Sequence, residues 1–283
     1  DMHLGNICLI DGAPVPFDCI EFDDDIACVD VLYDLAFPVM GLVRFGRQRE
    51  AQLLLNRYLA ATRDYGGLAL MPLFLTARAL VRAMAEGLSG RLETARTYAR
   101  LADQLRAAPR PRLVALGGLS GTGKSTAAYR LALELAPGPG AVVLRSDEIR
   151  KRMFDTVPED RLGADAYLQS ASRTMYSRMG ADATTALAAG WPVVVDATFM
   201  GPGDRAAIEA VAGAAGVPFT GLWLDAPADV LRARVTGRRN DASDATVAVL
   251  DRQLKANVGP VAWNRIDASG DPADVAARAV AVL

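Results

Sequence analysis

The stretch GGLSGTGKST, residues 117–126, holds the residue types that grip a polyphosphate. Gly118, four residues, Gly123, Lys124 and Ser125 complete the pattern G-x-x-x-x-G-K-[ST], the P-loop. Glycines let backbone N–H groups converge on phosphate oxygens with no Cβ in the way. A helix opening at Lys124 adds free donors and partial positive charge. The loop Gly118, Leu119, Ser120, Gly121, Thr122, Gly123, Lys124, Ser125 and Thr126 is therefore expected to cradle ATP. Lys124 would reach the β- and γ-phosphates, and Ser125 would ligate Mg²⁺. The competing reading, an ordinary glycine turn before a helix, does not account for the Lys-Ser that follows.

Three further groups bear on what is done with the nucleotide. Asp147 follows the run VVLRS, with Arg150 three residues along the next helix. Asp147 could take a proton from an acceptor hydroxyl, and Arg150 could hold an anionic part of that acceptor. The structural alternative makes Asp147 or Ser146 a helix cap and Arg150 a surface charge. Asp196 ends PVVVD, where a carboxylate beside a P-loop holds Mg²⁺ directly or through water, unless it is only a strand-end turn residue. Arg232, Arg234, Arg238 and Arg239 flank a glycine break in VLRARVTGRRNDASD. A closing lid needs such charges near a transferring phosphoryl group, although charge runs are often merely solvated. Ser243 or Asp244 is expected to cap the next helix.

A fourth polar group opens the chain. In DMHLGNICLIDGAPVPFDCIEF, Asp1, His3 and Asn6 precede an expected hairpin with DGAP at its turn, and Asp18 follows it.

The elements that must position these residues fall into two regions. Apolar stripes at helical spacing occur at Ala51, Leu54, Leu55 and Tyr58, at Leu73, Ala77, Leu80 and Met84, and at Leu92, Ala95, Ala99 and Ala102. Each is expected to face a core. Prolines 109 and 111 then break the pattern, placing a linker at 109–112 between a mostly helical 1–108 and a 113–283 region of different rhythm. There RLVALGG, AVVLRS, WPVVVDAT, FTGLWLDA and NRIDAS alternate with helical stretches, and a terminal helix starts near Pro272. That alternation predicts an α/β domain whose parallel five-stranded sheet is covered on both faces.

Composition bounds the rest. A chain of 283 residues, 51% hydrophobic with net charge −2, has no basic excess for bulk nucleic-acid binding. Pro and Arg interrupt the longest apolar stretches, so no membrane span is expected. Cys8, Cys19 and Cys28 lack zinc-site spacing and sit in strand-like surroundings, which predicts buried, reduced thiols and a cytoplasmic protein.

With these residues in view, the second region resembles the P-loop kinases of the gluconate-kinase, zeta-toxin and polynucleotide-kinase type, through GLSGTGKST, SDEIR, VVVDATF and the Arg-rich segment. The resemblance implies Asp147 as acceptor base and Arg234 with Arg238 or Arg239 as phosphate contacts. The opening resembles the catalytic loop H-G-D-x-H-x-x-N of the aminoglycoside phosphotransferase and choline-kinase group, with Asp1, His3 and Asn6 matching its Asp, second His and Asn, and Asp18 its metal-binding residue. Both in this order resemble bacterial bifunctional aminoglycoside phosphotransferase-like/ATP-binding proteins. The resemblance implies that residues 1–108 are a C-lobe lacking its N-lobe, with Asp1, Asn6 and Asp18 a vestigial site and His3 a structural residue.

The expected function is transfer of the γ-phosphoryl of ATP-Mg to a hydroxyl acceptor that the sequence does not name. The rival expectations are a nucleotide switch, with slow hydrolysis indifferent to acceptor, and a scaffold without activity.

Overall fold

The computed structural model describes residues 2–157, 160–237 and 243–283. Near its start, β1 (Ile7–Ile10) pairs antiparallel with β2 (Ala13–Pro16). Asp11 and Gly12 make the reversal with positive φ at both positions, the geometry that suits Asp-Gly in a two-residue hairpin. Helices follow: α1 (Asp24–Ala27), α2 (Val31–Arg44), α3 (Gln48–Thr62), α4 (Met71–Leu88) and α5 (Leu92–Leu105). Asp30 starts α2 by accepting from the Leu32 amide at 2.8 Å, and Arg63 in the left-handed region ends α3. Buried Leu32, Leu35, Phe37 and Met40 of α2 meet Leu55 and Leu59 of α3 and Leu75 of α4.

The stripe on α3 is turned inward, with Ala51 and Leu55 fully buried and Leu54 and Tyr58 partly so. Two other expectations are corrected. On α4, Leu73 and Met84 are 61% and 62% exposed, and the buried face carries Met71, Leu75, Arg78, Ala79 and Glu86. Arg78 is tolerated there because its guanidinium stacks 3.8 Å from the Tyr33 ring and donates to the Tyr33 carbonyl at 3.0 Å. On α5 the buried face is Tyr98, Leu101, Ala102 and Leu105, not one containing Leu92 and Ala99. One helical stretch bears on the span expectation without deciding it. Residues Gly66–Leu88 form a helical stretch long and apolar enough to cross a membrane by length and composition, with mean hydropathy 1.5. Pro72 does not interrupt it, because it falls in the first turn of α4, where no intrahelical donor is lost.

Residues 108–112 carry no regular element, and the sheet begins beyond them. The chain runs β3 (Leu113–Gly118), α6 (Lys124–Leu135), β4 (Val142–Arg145), α7 (Ser146–Met153), α8 (Gln169–Ala188), β5 (Val193–Asp196), α9 (Pro202–Ala215), β6 (Phe219–Asp225), α10 (Ala228–Thr236), α11 (Val247–Lys255), β7 (Asn264–Asp267) and α12 (Pro272–Val280). The five strands are parallel in the order β4-β5-β3-β6-β7. This is the α/β architecture expected. Alternation within strands feeds two cores: Val114, Leu116 and Val194 face α6 and α12, while Leu113, Ala115, Val193 and Val195 face α8, α9 and the helical region. The chain leaves central β3 toward β4 and β5 on one side and toward β6 and β7 on the other. The loop after β3 thus stands at the switch point where open α/β sheets bind ligands.

The helical region joins this sheet through polar contacts as well as shared core. Buried Asn56 of α3 donates to the Ala141 carbonyl at 3.3 Å and accepts from the Val143 amide at 2.7 Å. Asp182 of α8 receives Arg63 at 2.5 Å and Arg152 of α7 at 3.0 Å, and Arg152 also donates to the Ala60 carbonyl at 2.5 Å. Asn56→Ala would leave a buried N–H and a buried C=O without partners. The expected loss is about 2–4 kcal/mol, at ~1–3 for each orphaned group. Urea unfolding measures it, and a variant within ~0.5 kcal/mol of the parent would refute the estimate.

Candidate active site

The loop between β3 and α6 is shaped by close approach. Gly118 has φ +134, and a Cβ there would lie 2.3 Å from the Leu224 carbonyl oxygen of β6. At Gly121, φ +90, a Cβ would lie 2.8 Å from the Leu231 carbonyl of α10. Only glycine fits either place, and the loop is drawn tight over β6 and α10. Lys124 folds back across it, donating to the carbonyls of Gly118 at 2.9 Å and Leu119 at 2.8 Å. Gln253 of α11 accepts from the Ser120 amide at 2.9 Å, setting α11 over the loop.

The expected metal ligands meet. Ser125 at the start of α6 donates to Asp196 Oδ2 at 2.6 Å, because β4, β5 and β3 are neighbours in register. A hydroxyl and a carboxylate are the hard oxygen donors that suit Mg²⁺, so the pair fits that ion. Among the described residues no group of three His, Cys, Asp or Glu could hold a metal, so the remaining ligands would have to come from elsewhere. Arg145, ending β4, also enters here: it donates to Ser125 Oγ at 3.0 Å and to Glu148 Oε1 at 3.1 Å, and lies 3.5 Å from Asp196 Oδ2.

A cleft of about 1160 Å³ extends from the loop to Asp147, Arg150, Ser172, Tyr176, Thr198 and Asp204, which line it. Asp147 lies in the first turn of α7, not at its cap, which is Arg145 without a side-chain bond. Burial raises the Asp147 carboxyl above the ordinary range, and the Asp196 charge adds to this; Arg145, the Ser243 hydroxyl and Lys124 act in the opposite direction. Arg150 is buried, donates to the Ala166 carbonyl and to Ser172 Oγ at 3.4 Å, and lies 4.9 Å over the Tyr167 ring. Its Nε has no hydrogen-bond partner among the described residues. Tyr176 is pushed up to about 12 by burial, and its hydroxyl accepts from the Phe199 amide at 3.1 Å.

Phe199, fully buried, has φ +47, a conformation that costs a bulky residue about 1–3 kcal/mol. Tyr176 holds its amide, and Arg205 donates to its carbonyl at 2.7 Å while reaching the Val258 carbonyl at 2.8 Å. The forced turn brings Thr198 back so that its carbonyl accepts from the Gly118 amide at 3.2 Å.

Not every expected residue stands in the cleft in the same way. Arg234 borders it but gives its guanidinium to the carbonyls of Ala268 and Gly270, each at 2.7 Å. Arg232 pairs with Asp251 at 2.8 Å. Arg238 and Arg239 lie outside the described residues, as does Asp1. The cap of α11 is Thr246, which accepts from the Val249 amide at 3.4 Å, rather than Ser243 or Asp244. Asp244 is taken by other groups: buried Lys151 at 3.2 Å, the Tyr167 hydroxyl at 2.7 Å and the Leu162 amide at 3.1 Å.

At the start of the chain, Asn6 is buried and donates to the Asp18 carbonyl at 3.4 Å, while the Asp18 side chain is exposed. His3 accepts from the Gly5 amide at 2.9 Å and packs edge-on against Phe37. Burial, then Arg82, holds its imidazole below the usual range. The thiols depart from expectation: Cys8, in β1, is half-buried, and Cys19, beyond the hairpin, and Cys28, at the end of α1, are exposed.

Sequence reasoning passed over Arg145, Tyr176, Ser172 and Gln253. Only Arg145 left a signal, as a cation closing an otherwise aliphatic strand.

A family model described as an AAA domain matches residues 113–260. Over 284 aligned residues the chain is 31% identical to uncharacterized proteins of Mycobacterium tuberculosis and Mycobacterium bovis; the match takes in 95% of this chain and 55% of theirs. The chain thus spans about half the length of these relatives. Among solved structures, the APS kinase of Mycobacterium tuberculosis in complex with AMPPNP and APS matches with TM-score 0.43 and 20% identity, covering 62% of this chain and 98% of that one. A gluconokinase of Sinorhizobium meliloti matches with TM-score 0.42 and 20% identity, covering 61% and 91%.

Proposed function

Because the chain belongs to the AAA domain family through residues 113–260, we propose that its sheet region, 113–283, is an ATP-dependent phosphotransferase acting on a hydroxyl acceptor. The observation that carries this reading is Asp147: it opens into the same cleft as Lys124, Ser125 and Asp196 without being spent as a helix cap. Ser125 and Asp196 would hold Mg²⁺, which when bound would neutralise charge across the phosphates. The loop amides and Lys124 would grip ATP. Asp147 would take the acceptor's hydroxyl proton as the acceptor oxygen bonds to the γ-phosphorus and the bond to the β–γ bridging oxygen breaks. Arg150, with Ser172, would seat the acceptor, and Arg234 with Arg238 or Arg239 would balance charge on the transferring group.

Labelled ATP offered with hydroxyl metabolites, nucleosides and antibiotics tests the reading. Phosphorylation of one class that depends on Asp147 supports it, and acceptor-indifferent hydrolysis overturns it. A nucleotide switch is the second reading. It is favoured by the direct bonding of Asn56 to β4, through which a change at the loop could be felt in the helical region.

For residues 1–108 we read an aminoglycoside phosphotransferase-like lobe, supported by the hairpin and by the contact of Asn6 with Asp18. Neither residue lines the cleft. Asp18→Ala is accordingly expected to leave ATP turnover by the chain unchanged. A severalfold loss with the fold preserved, measured on purified protein, would place catalysis in the first region as well.

A further inference from the structure

Arg145 stands where two cations would compete. Its guanidinium is buried and faces two carboxylates, Asp196 and Glu148, together with the Ser125 hydroxyl. Ser125 Oγ accepts from Arg145 at 3.0 Å and donates to Asp196 at 2.6 Å. One donor and one of its two lone pairs are thereby engaged. Two oxygens bound side by side to one Mg²⁺ stand roughly 3 Å apart, each about 2.1 Å from the ion. A metal taking both oxygens directly would spread them from 2.6 Å and turn the Ser125 proton out of line with Asp196, weakening that hydrogen bond. It would also share both oxygens with a fixed positive charge, since Arg145 lies 3.0 Å from Ser125 Oγ and 3.5 Å from Asp196 Oδ2, and like charges repel strongly in a buried site.

We infer that Arg145 is a built-in counter-ion of the metal pair, excluding a divalent cation from Ser125 and Asp196 until a nucleotide brings one. The inference rests on the phosphotransferase reading for the identity of that pair. With Arg145 in place, Ser125 and Asp196 are held at their positions and the Asp196 charge has a cation beside it. Triphosphate oxygens would add the ligands that the protein lacks and would give the guanidinium a new acceptor. Metal entry is thus tied to nucleotide entry, and Arg145 acts by holding Ser125 and Asp196 in place until then.

The probe is Mn²⁺ alone, titrated into the whole chain without nucleotide and followed by electron paramagnetic resonance of the free ion. Arg145→Met removes the charge and keeps much of the bulk. It is expected to bind Mn²⁺ at least about tenfold more tightly than the parent, since two carboxylates then lack their cation. Adding Asp196→Asn should abolish that gain, and Arg145→Lys, which keeps the charge, should bind as weakly as the parent. A variant that failed to fold would lose affinity, so the predicted gain cannot arise from damage. Should Arg145→Met not fold, Arg145→Gln carries the same expectation. Equal Mn²⁺ affinity in parent and neutral variant, or a gain that survives Asp196→Asn, overturns the inference. Calorimetry with ATP on the parent is a separate arm: absence of ATP binding would sink the phosphotransferase reading whatever Mn²⁺ does.

Discussion

Asp147→Asn is expected to lower transfer to a confirmed acceptor by about 10²–10⁴-fold while leaving ATP affinity nearly unchanged. A hydroxyl is a poor nucleophile at neutral pH, and a carboxylate that orients it and accepts its proton typically contributes an effect of that size. Asparagine keeps the volume and can still accept from Ser243, so the change removes basicity and little else. The pH profile supplies a second signature. Burial and Asp196 raise the Asp147 carboxyl, so the parent's activity should fall on the acid side at a pH above the ~3.9 of an ordinary aspartate. The variant should lack that limb. Linkage gives the sign for stability. A carboxyl whose folded pKa is raised binds its proton more tightly when folded, so stability grows as pH falls through that window and the ionised form is a burden above it. The Asn variant is thus expected to be no less stable than the parent at pH 7. Parental transfer rates with a confirmed acceptor would reduce Asp147 to a structural residue and put the nucleotide switch ahead.

Lys124→Ala should weaken ATP-Mg binding by roughly 10–100-fold, the loss expected when a charged hydrogen bond to phosphate worth ~1.5–3 kcal/mol is removed. The substitution also removes bonds to the Gly118 and Leu119 carbonyls, so its effect on the loop needs weighing. Other contacts keep the loop in place: the Gly118 amide on the Thr198 carbonyl, the Ser120 amide on Gln253, and Thr122 Oγ1 on the Leu119 carbonyl at 2.9 Å. Circular dichroism and thermal unfolding should therefore stay close to the parent while calorimetry registers the loss. Equal ATP affinity in parent and variant would remove the P-loop assignment altogether.

The sheet was legible because a parallel strand buried on both faces reads as a continuous aliphatic run, as VVLR and VVVD do, and because the P-loop pattern marks both an element boundary and a chemistry. The helical region was harder to orient. On α4 one apolar stripe, Leu73, Leu80 and Met84, is the exposed one. The buried face includes Arg78 and Glu86, charged residues satisfied by Tyr33 and by Arg82 and Arg91, which come from other elements or other turns. Apolar periodicity carries no record of Tyr33 or Arg91 as partners, and the Arg82–Glu86 spacing alone does not mark Glu86 as buried. The same limit hid Arg145, whose place beside Ser125 depends on which strands become neighbours. Tyr176 and Phe199 escaped for a related reason: a left-handed backbone at Phe199 is imposed by Tyr176 and Arg205 and has no local signature.

The Asn56 amide bridges one carbonyl and one N–H on the outer side of β4, as the peptide group of another strand would. β4 is an edge of the sheet, and an exposed edge is a template onto which another chain can add. A single side chain from α3 thus acts as a surrogate sixth strand that pairs once and cannot be extended. Residues 113–283 produced alone would bare that ladder together with the aliphatic faces packed on α3. They are expected to associate edge to edge, which size-exclusion chromatography beside the whole chain checks; the helical region would then keep its neighbour soluble whatever chemistry it does or does not perform.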